Sequence, residues 1–250
     1  MTTWTLRLIV ANIGFYALNM LAPGLMSAMM LVPAYVVTRP WTIVTYMFMH
    51  AGVSHILFNM LGLYFFGPRV EMELGGKRYL LLYFISGLMG AALSFFFTPF
   101  SAIVGASGAI YGVFLAFAYF WPRERIFIWG ILPVEARLLV VVMTALSLFG
   151  GFGGGGSDIA HFAHLGGFVG AFLYLKWLDR RSPQALMMQT MAPTTPPKSS
   201  VERWGKIDRE KLHEVNRGEL DRIREKIATQ GAGSLTMLEI AFLDRFSEEP

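Results

Sequence analysis

Gly105-Ala106-Ser107-Gly108-Ala109-Ile110-Tyr111-Gly112 sets a serine among small residues at the start of an apolar stretch, and His164 stands near the start of the last such stretch. A hydroxyl and an imidazole, each carried by a segment suited to lipid, point to a nucleophile and its base held below a membrane surface. Each half also has a plainer explanation. Small residues let transmembrane helices approach closely, which accounts equally for Gly166, Gly167 and Gly170. An ionisable ring in hydrocarbon is harder to explain by packing, because it is costly there and usually marks a site.

Composition agrees with the membrane setting: 54% of residues are hydrophobic, 15% are charged, and the mean hydropathy is +0.50. Six stretches approach the length of about 20 mostly apolar residues that a bilayer core requires. They lie near residues 5–27, 52–70, 79–99, 105–121, 136–151 and 159–178, with the fifth crowded at its start by Pro133, Glu135 and Arg137. Residues 123–134, with Trp129, Gly130 and Pro133, read as a loop resting partly on the membrane surface. The first stretch is too long for a cleaved leader and lacks a small-x-small site, so it reads as a retained helix. The absence of cysteine excludes disulfides, thiolate metal sites and a cysteine nucleophile. A net charge of +4 and a pI near 9.4 reflect basic residues at segment ends and in the tail, a pattern of topology rather than of nucleic-acid binding.

Arg69, Lys77, Arg78, Arg123, Arg125, Lys176, Arg180 and Arg181 fall on one side of the spans, against Arg39 alone on the other. The bias puts both termini in the cytoplasm and the loops 28–51, 100–104 and 151–158 outside. Helices two, four and six then begin at the outer face. At about 1.5 Å per residue, His55 and Asn59, Ser107, and His161 with His164 share one layer roughly 5–10 Å below the outer boundary. His164 is the candidate base and acid, with His161, three residues earlier, as the alternative. His55, Asn59 and the Ser107 N–H are candidate oxyanion donors. Tyr111, one turn after Ser107, either packs on the imidazole or is an ordinary core tyrosine. No carboxylate stands within reach of the base, since Asp158 lies in the outer loop and Glu71 about four turns below His55. A dyad follows rather than a triad.

These residues together resemble the rhomboid family of intramembrane serine proteases. Gly105-Ala106-Ser107-Gly108 matches its Gly-x-Ser-Gly nucleophile motif, and His164-Leu165-Gly166-Gly167 matches its histidine-x-x-glycine motif. His50, His55 and Asn59 match its second-helix pattern, and Glu71 with Leu74-Gly75 resembles the end of that helix. The resemblance covers residues 5–180. It implies an all-α six-transmembrane-helix fold, hydrolysis of peptide bonds without metal or cofactor, and transmembrane protein substrates met in the bilayer. Where the family often has Trp-Arg in the first outer loop, this chain has Trp41-Thr42 with Arg39 just before.

The reading divides the chain into a six-helix protease domain at 1–181, a flexible linker at 182–203 and a small cytoplasmic helical tail at 204–250. In the tail, Asp208–Thr229 has an amphipathic pattern through Leu212, Val215, Leu220, Ile223 and Ile227, and Thr236-Met237-Leu238-Glu239 has capping-box spacing. The tail forms a helical hairpin or docks a protein partner; its likeness to the ends of some bacterial rhomboids implies a bacterial inner membrane. The glycine run Gly150-Gly151-Phe152-Gly153-Gly154-Gly155-Gly156 is either a mobile cap over the site or a plain connection. Two rival functions stand beside the protease. One is a silent rhomboid relative that binds transmembrane clients, and the other a metal or haem protein using His50, His55, His161 and His164.

Overall fold

The computed structural model describes all residues except 23, 129, 154–159, 182–190, 192, 194 and 248–250. Of the expected glycine-rich cap, Gly150, Gly151 and Phe152 belong to a helix, while 154–156, Asp158 and half of the linker lie outside the described residues. The chain divides into two compact units, Met1–Lys176 and Trp177–Pro250.

The first unit is built from long helices joined by short connections. α1 spans Thr3–Leu21, α2 Gly24–Met29, α3 Thr42–Thr45, α4 Val53–Leu74, α5 Gly76–Phe97, α6 Ser107–Phe120, α7 Ala136–Phe152 and α8 His161–Arg180. α1 and α5 are long and apolar enough to cross a membrane, with mean hydropathies of 1.2 and 2.0, while α6 and α7 are apolar but shorter. α4 carries Arg69, Glu71 and Glu73 in its last turns. Gly75, at φ +77°, ends α4 and starts α5, so one left-handed residue reverses the chain without a loop. α6 packs on α4, α5 and α7, and α1 packs on α4.

Glu71 ties α1 to α4. Its carboxylate accepts from Trp4 N at 3.0 Å, Thr5 N at 2.8 Å, Thr5 Oγ1 at 2.8 Å and the Thr2 hydroxyl. The first N–H groups of a helix have no intrahelical acceptor and carry partial positive charge. A carboxylate from another helix therefore satisfies them and neutralises its own burial at the same time.

The connection between α1 and α4 has folded structure of its own. It includes α2, α3 and two 3-10 turns, Pro33–Tyr35 and Tyr46–Phe48. Trp41 Nε1 donates to Ala28 O at 2.9 Å and Arg39 Nη1 to Ser27 O at 3.0 Å, so these two side chains tie the connection to itself beside Thr42.

Residues 123–134 are more regular than a surface loop. Strands β1, Arg125–Ile128, and β2, Leu132–Glu135, form an antiparallel hairpin whose tip includes Gly130 at φ +71°. This is the departure from an all-helical chain among the described residues. Ile126, Ile128 and Val134 are β-branched residues that suit a strand, and Gly130 permits the turn.

In the second unit, helices span Lys198–Gly205, Glu214–Gln230 and Met237–Ser247. The first occupies part of the stretch read as linker, and its Trp204 lies in a core with Ile207, Leu212, Leu220, Ile223, Leu235 and Leu243. The middle helix starts six residues later than the periodicity suggests, leaving Val215 exposed while Leu212 packs from the preceding turn. Thr236 and Glu239 form the expected capping box: Thr236 N donates to Glu239 Oε2 at 2.8 Å and Glu239 N to Thr236 Oγ1 at 3.3 Å.

Two predictions follow from these carboxylates. Glu71→Ala strands the α1 N-terminus and should cost about 2 kcal/mol, read as a lower thermal midpoint of detergent-purified protein. For Glu239, burial pushes the pKa up, but hydrogen bonds from Lys226, Thr236 N, Arg222 and the Thr236 hydroxyl outweigh it and hold the carboxyl at about 2 rather than 4.5. A depressed folded value stabilises fully above the unfolded one, and the contribution is lost as pH falls from about 4.5 towards 2. Followed by hydrogen exchange of Glu214–Gln230 and Met237–Ser247, the resistance of the tail to urea should fall across that window, and Glu239→Gln should flatten the dependence.

Candidate active site

Ser107 is the first residue of α6, half-buried, and follows a backbone that only glycine accommodates easily. Gly105 has φ +116°, and a Cβ there would lie 2.5 Å from His55 Nε2. The imidazole of α4 thus occupies the space that a side chain at 105 would fill. Gly105 N donates to Tyr46 O at 2.9 Å, and the Tyr46 hydroxyl donates to Gly87 O at 2.8 Å, so one buried tyrosine links the approach to α6 with α5.

α8 reaches the same place by close backbone contact. A Cβ on Gly167 would stand 1.9 Å from Gly108 O, and one on Gly166 would stand 2.4 Å from Met89 O. This passage brings His164 Nε2 to 2.7 Å from Ser107 Oγ, a short contact joining two helices. Tyr111 stacks on the His164 ring, with centroids 4.1 Å apart and planes at 17°. His164 Nδ1 is buried and has no hydrogen-bond partner among the described residues. Stacking, rather than a carboxylate, is what holds the ring plane there.

The other candidates lie around this pair. His161 sits with its ring centroid 6.4 Å from that of His164, against α7, where a Cβ on Gly150 would be 2.3 Å from its Nε2. His50 and His55 meet edge to face at 5.1 Å. Asn59 is buried and donates to His55 O at 2.9 Å, which occupies one amide proton and leaves a second. Among the described residues, no group of three or more His, Asp or Glu side chains has the arrangement to hold a metal ion. Sequence reasoning passed over Ser147, a buried hydroxyl of α7 beside Tyr111. Its only signal was a serine within the apolar run Leu146-Ser147-Leu148. It also passed over Tyr46, because a contact across two connections leaves no local pattern.

A family model described as the Rhomboid domain matches residues 37–181, more than half of the chain. The chain belongs to the rhomboid family. As a rhomboid, it is an integral membrane protein. It is 40% identical over 135 residues to RHOMBOID-like protein 1 of Arabidopsis thaliana, covering 53% of this chain and 33% of that protein. It is 34% identical over 132 residues to Rhomboid protease GluP of Bacillus subtilis, covering 53% of this chain and 25% of that protein. The putative rhomboid protease YdcA of the same bacterium is 33% identical over 146 residues, or 56% of this chain and 70% of that protein. The chain thus spans a third or less of the length of the first two relatives. Named proteases stand among the rhomboids that it resembles.

The α6–α8 passage yields a test of its own. Gly167→Ala drives a methyl into the Gly108 carbonyl and should lower the thermal midpoint by several degrees, at a cost of about 1–3 kcal/mol. Gly14→Ala, where nothing lies within 4 Å of the added carbon, should leave the midpoint unchanged or raise it.

Proposed function

We propose that this rhomboid is an intramembrane serine endopeptidase in which Ser107 is the nucleophile and His164 the general base and acid. The observation that carries the reading is the 2.7 Å contact between Ser107 Oγ and His164 Nε2. His161 packs toward Gly150 of α7, which favours His164 as the base. The chemistry is that of a dyad. His164 Nε2 takes the Ser107 proton as Oγ attacks the scissile carbonyl, then returns it to the leaving amine as the C–N bond breaks. Water attacks the resulting ester, giving its proton to His164, and the acid product leaves with Ser107 restored. His55, the second amide proton of Asn59 and the Ser107 N–H at the start of α6 are the donors for the developing oxyanion. Tyr111 holds the imidazole plane, and Gly105 gives His55 its place.

In this reading α1, α4, α5, α6, α7 and α8 are the six spans, with 1–181 as the protease domain and 182–203 leading to a tail at 204–250. Basic residues at Arg69, Lys77, Arg78, Arg123, Arg125, Lys176, Arg180 and Arg181 support cytoplasmic termini and a site open towards the outer face of a bacterial inner membrane. The substrate is a transmembrane helix that approaches from the bilayer and unwinds near its outer end, because an intact helix keeps its carbonyls bonded. The tail is a candidate protein-docking module.

Cleavage of a single-pass substrate by detergent-purified protein tests the assignment. Ser107→Ala and His164→Ala should each reduce cleavage by about a thousandfold or more, while His161→Ala stays within about threefold of wild type. A substrate panel yielding no Ser107-dependent product would instead favour a silent binder of transmembrane clients, and loss with His161→Ala but not His164→Ala would exchange the two histidines.

A further inference from the structure

The β1–β2 hairpin between α6 and α7 presents apolar side chains to its surroundings. Phe127, Ile131 and Leu132 are 60%, 83% and 59% exposed. A polar surface loop would not place three such groups together, and in an integral membrane protein the neighbouring apolar phase is lipid. The hairpin runs straight into α7, whose Leu138, Val141 and Val142 are also exposed, so exposed apolar side chains stand on both sides of the hairpin base.

The base of the hairpin is charged, and its charges are unequal in their pairing. Glu124 is bound by Arg69 at 3.2 Å and Glu135 by Arg137 at 2.7 Å. Both local carboxylates are thereby engaged. Arg123 and Arg125 are exposed and have no ion-pair partner among the described residues. Two uncompensated guanidinium groups beside an apolar tip suit the headgroup layer of an anionic leaflet, where phosphates lie just outside the acyl boundary.

We propose that this hairpin is a membrane anchor whose tip, Phe127, Ile131 and Leu132, enters the headgroup–acyl boundary while Arg123 and Arg125 hold anionic phospholipid headgroups. The anchor sets a depth. Ser107 and Phe120 are the two ends of α6, a rod of about 21 Å by helix rise, against a hydrocarbon core of about 30 Å. With its C-terminal end fixed at one boundary by the hairpin, Ser107 stops about 10 Å short of the other. The inference rests on the membrane assignment and not on the catalytic reading.

The chain has no cysteine, so Ile131→Cys accepts a single nitroxide label. The labelled protein, with an unchanged thermal midpoint, is reconstituted into vesicles of phosphatidylcholine alone or of phosphatidylcholine with phosphatidylglycerol. Relaxation by oxygen, which partitions into lipid, is compared with relaxation by a water-soluble nickel chelate. The label should favour oxygen in both vesicles and move deeper in those with phosphatidylglycerol. Arg123→Gln with Arg125→Gln should abolish that shift, as should high salt. A nickel-favoured label in both vesicles would overturn the anchor. A shift that survives the double substitution would overturn the headgroup role, and spin–spin broadening would assign the tip to contact with a second copy of the chain.

Discussion

The close passage of α8 along α6 is the constraint on which the rest of the site depends. Gly167 and Gly108 let the two backbones approach to a distance that no side chain at 167 could share, and Ala163 O lies against Gly90 and Gly108 in the same seam. Lipid offers helices no hydrophobic drive to associate, so close van der Waals contact and polar links must supply the attraction. The short Ser107–His164 contact is a product of that packing: neither residue chooses its partner, and both are delivered by glycines, Gly108 next to Ser107 and Gly167 about one turn after His164.

The same solvent argument explains why the polar groups of the first unit are so often tied to backbone. Ser94 Oγ donates to Gly90 O, Asn12 Nδ2 to Leu8 O and Thr144 Oγ1 to Val140 O. Each hydroxyl or amide bonds within its own helix and leaves the helix surface apolar. Glu71 is the exception in charge but not in principle, since the groups it accepts from are themselves donors without partners at a helix start.

Much of the site was legible in sequence because its chemistry follows helical spacing. Ser107 and Tyr111 lie one turn apart, as do His55 and Asn59. Thr236 and Glu239 were legible for the same reason, since the capping box is local. The hairpin was not, because Ile126–Ile128 and Leu132–Val134 are too short for a period to show and Pro133 argues against a strand interior. Nor was the helix at Lys198–Gly205, where Pro196-Pro197 reads as linker composition but Pro197 also serves as a helix N-cap. What sequence could not carry was contact between distant segments: Tyr46 with Gly105, His161 with Gly150, and Ser147 with Tyr111.

In the proposed reading Ser107 starts α6 below the membrane boundary, which raises a problem that residues 24–48 solve. Residues leading into a helix that starts below the membrane boundary have irregular backbone at a depth where the surrounding lipid cannot satisfy it. Here the segment before α6 is paired with protein instead. Leu31 and Ile103 exchange bonds at 3.0 and 2.7 Å, Ala34 N donates to Pro99 O at 2.8 Å, and Gly105 N donates to Tyr46 O. Residues 24–48 are therefore the backbone partner of residues 99–105, not a covering laid over them. It follows that the elaborate fold of residues 24–48, with its own helices and its Trp41 and Arg39 ties, is what permits α6 to begin at Ser107. A shorter or unstructured connection would leave those amides unpaired in hydrocarbon, and α6 would extend outward until its first N–H groups met water, carrying the hydroxyl into mid-helix where its backbone N–H is spent on the helix itself.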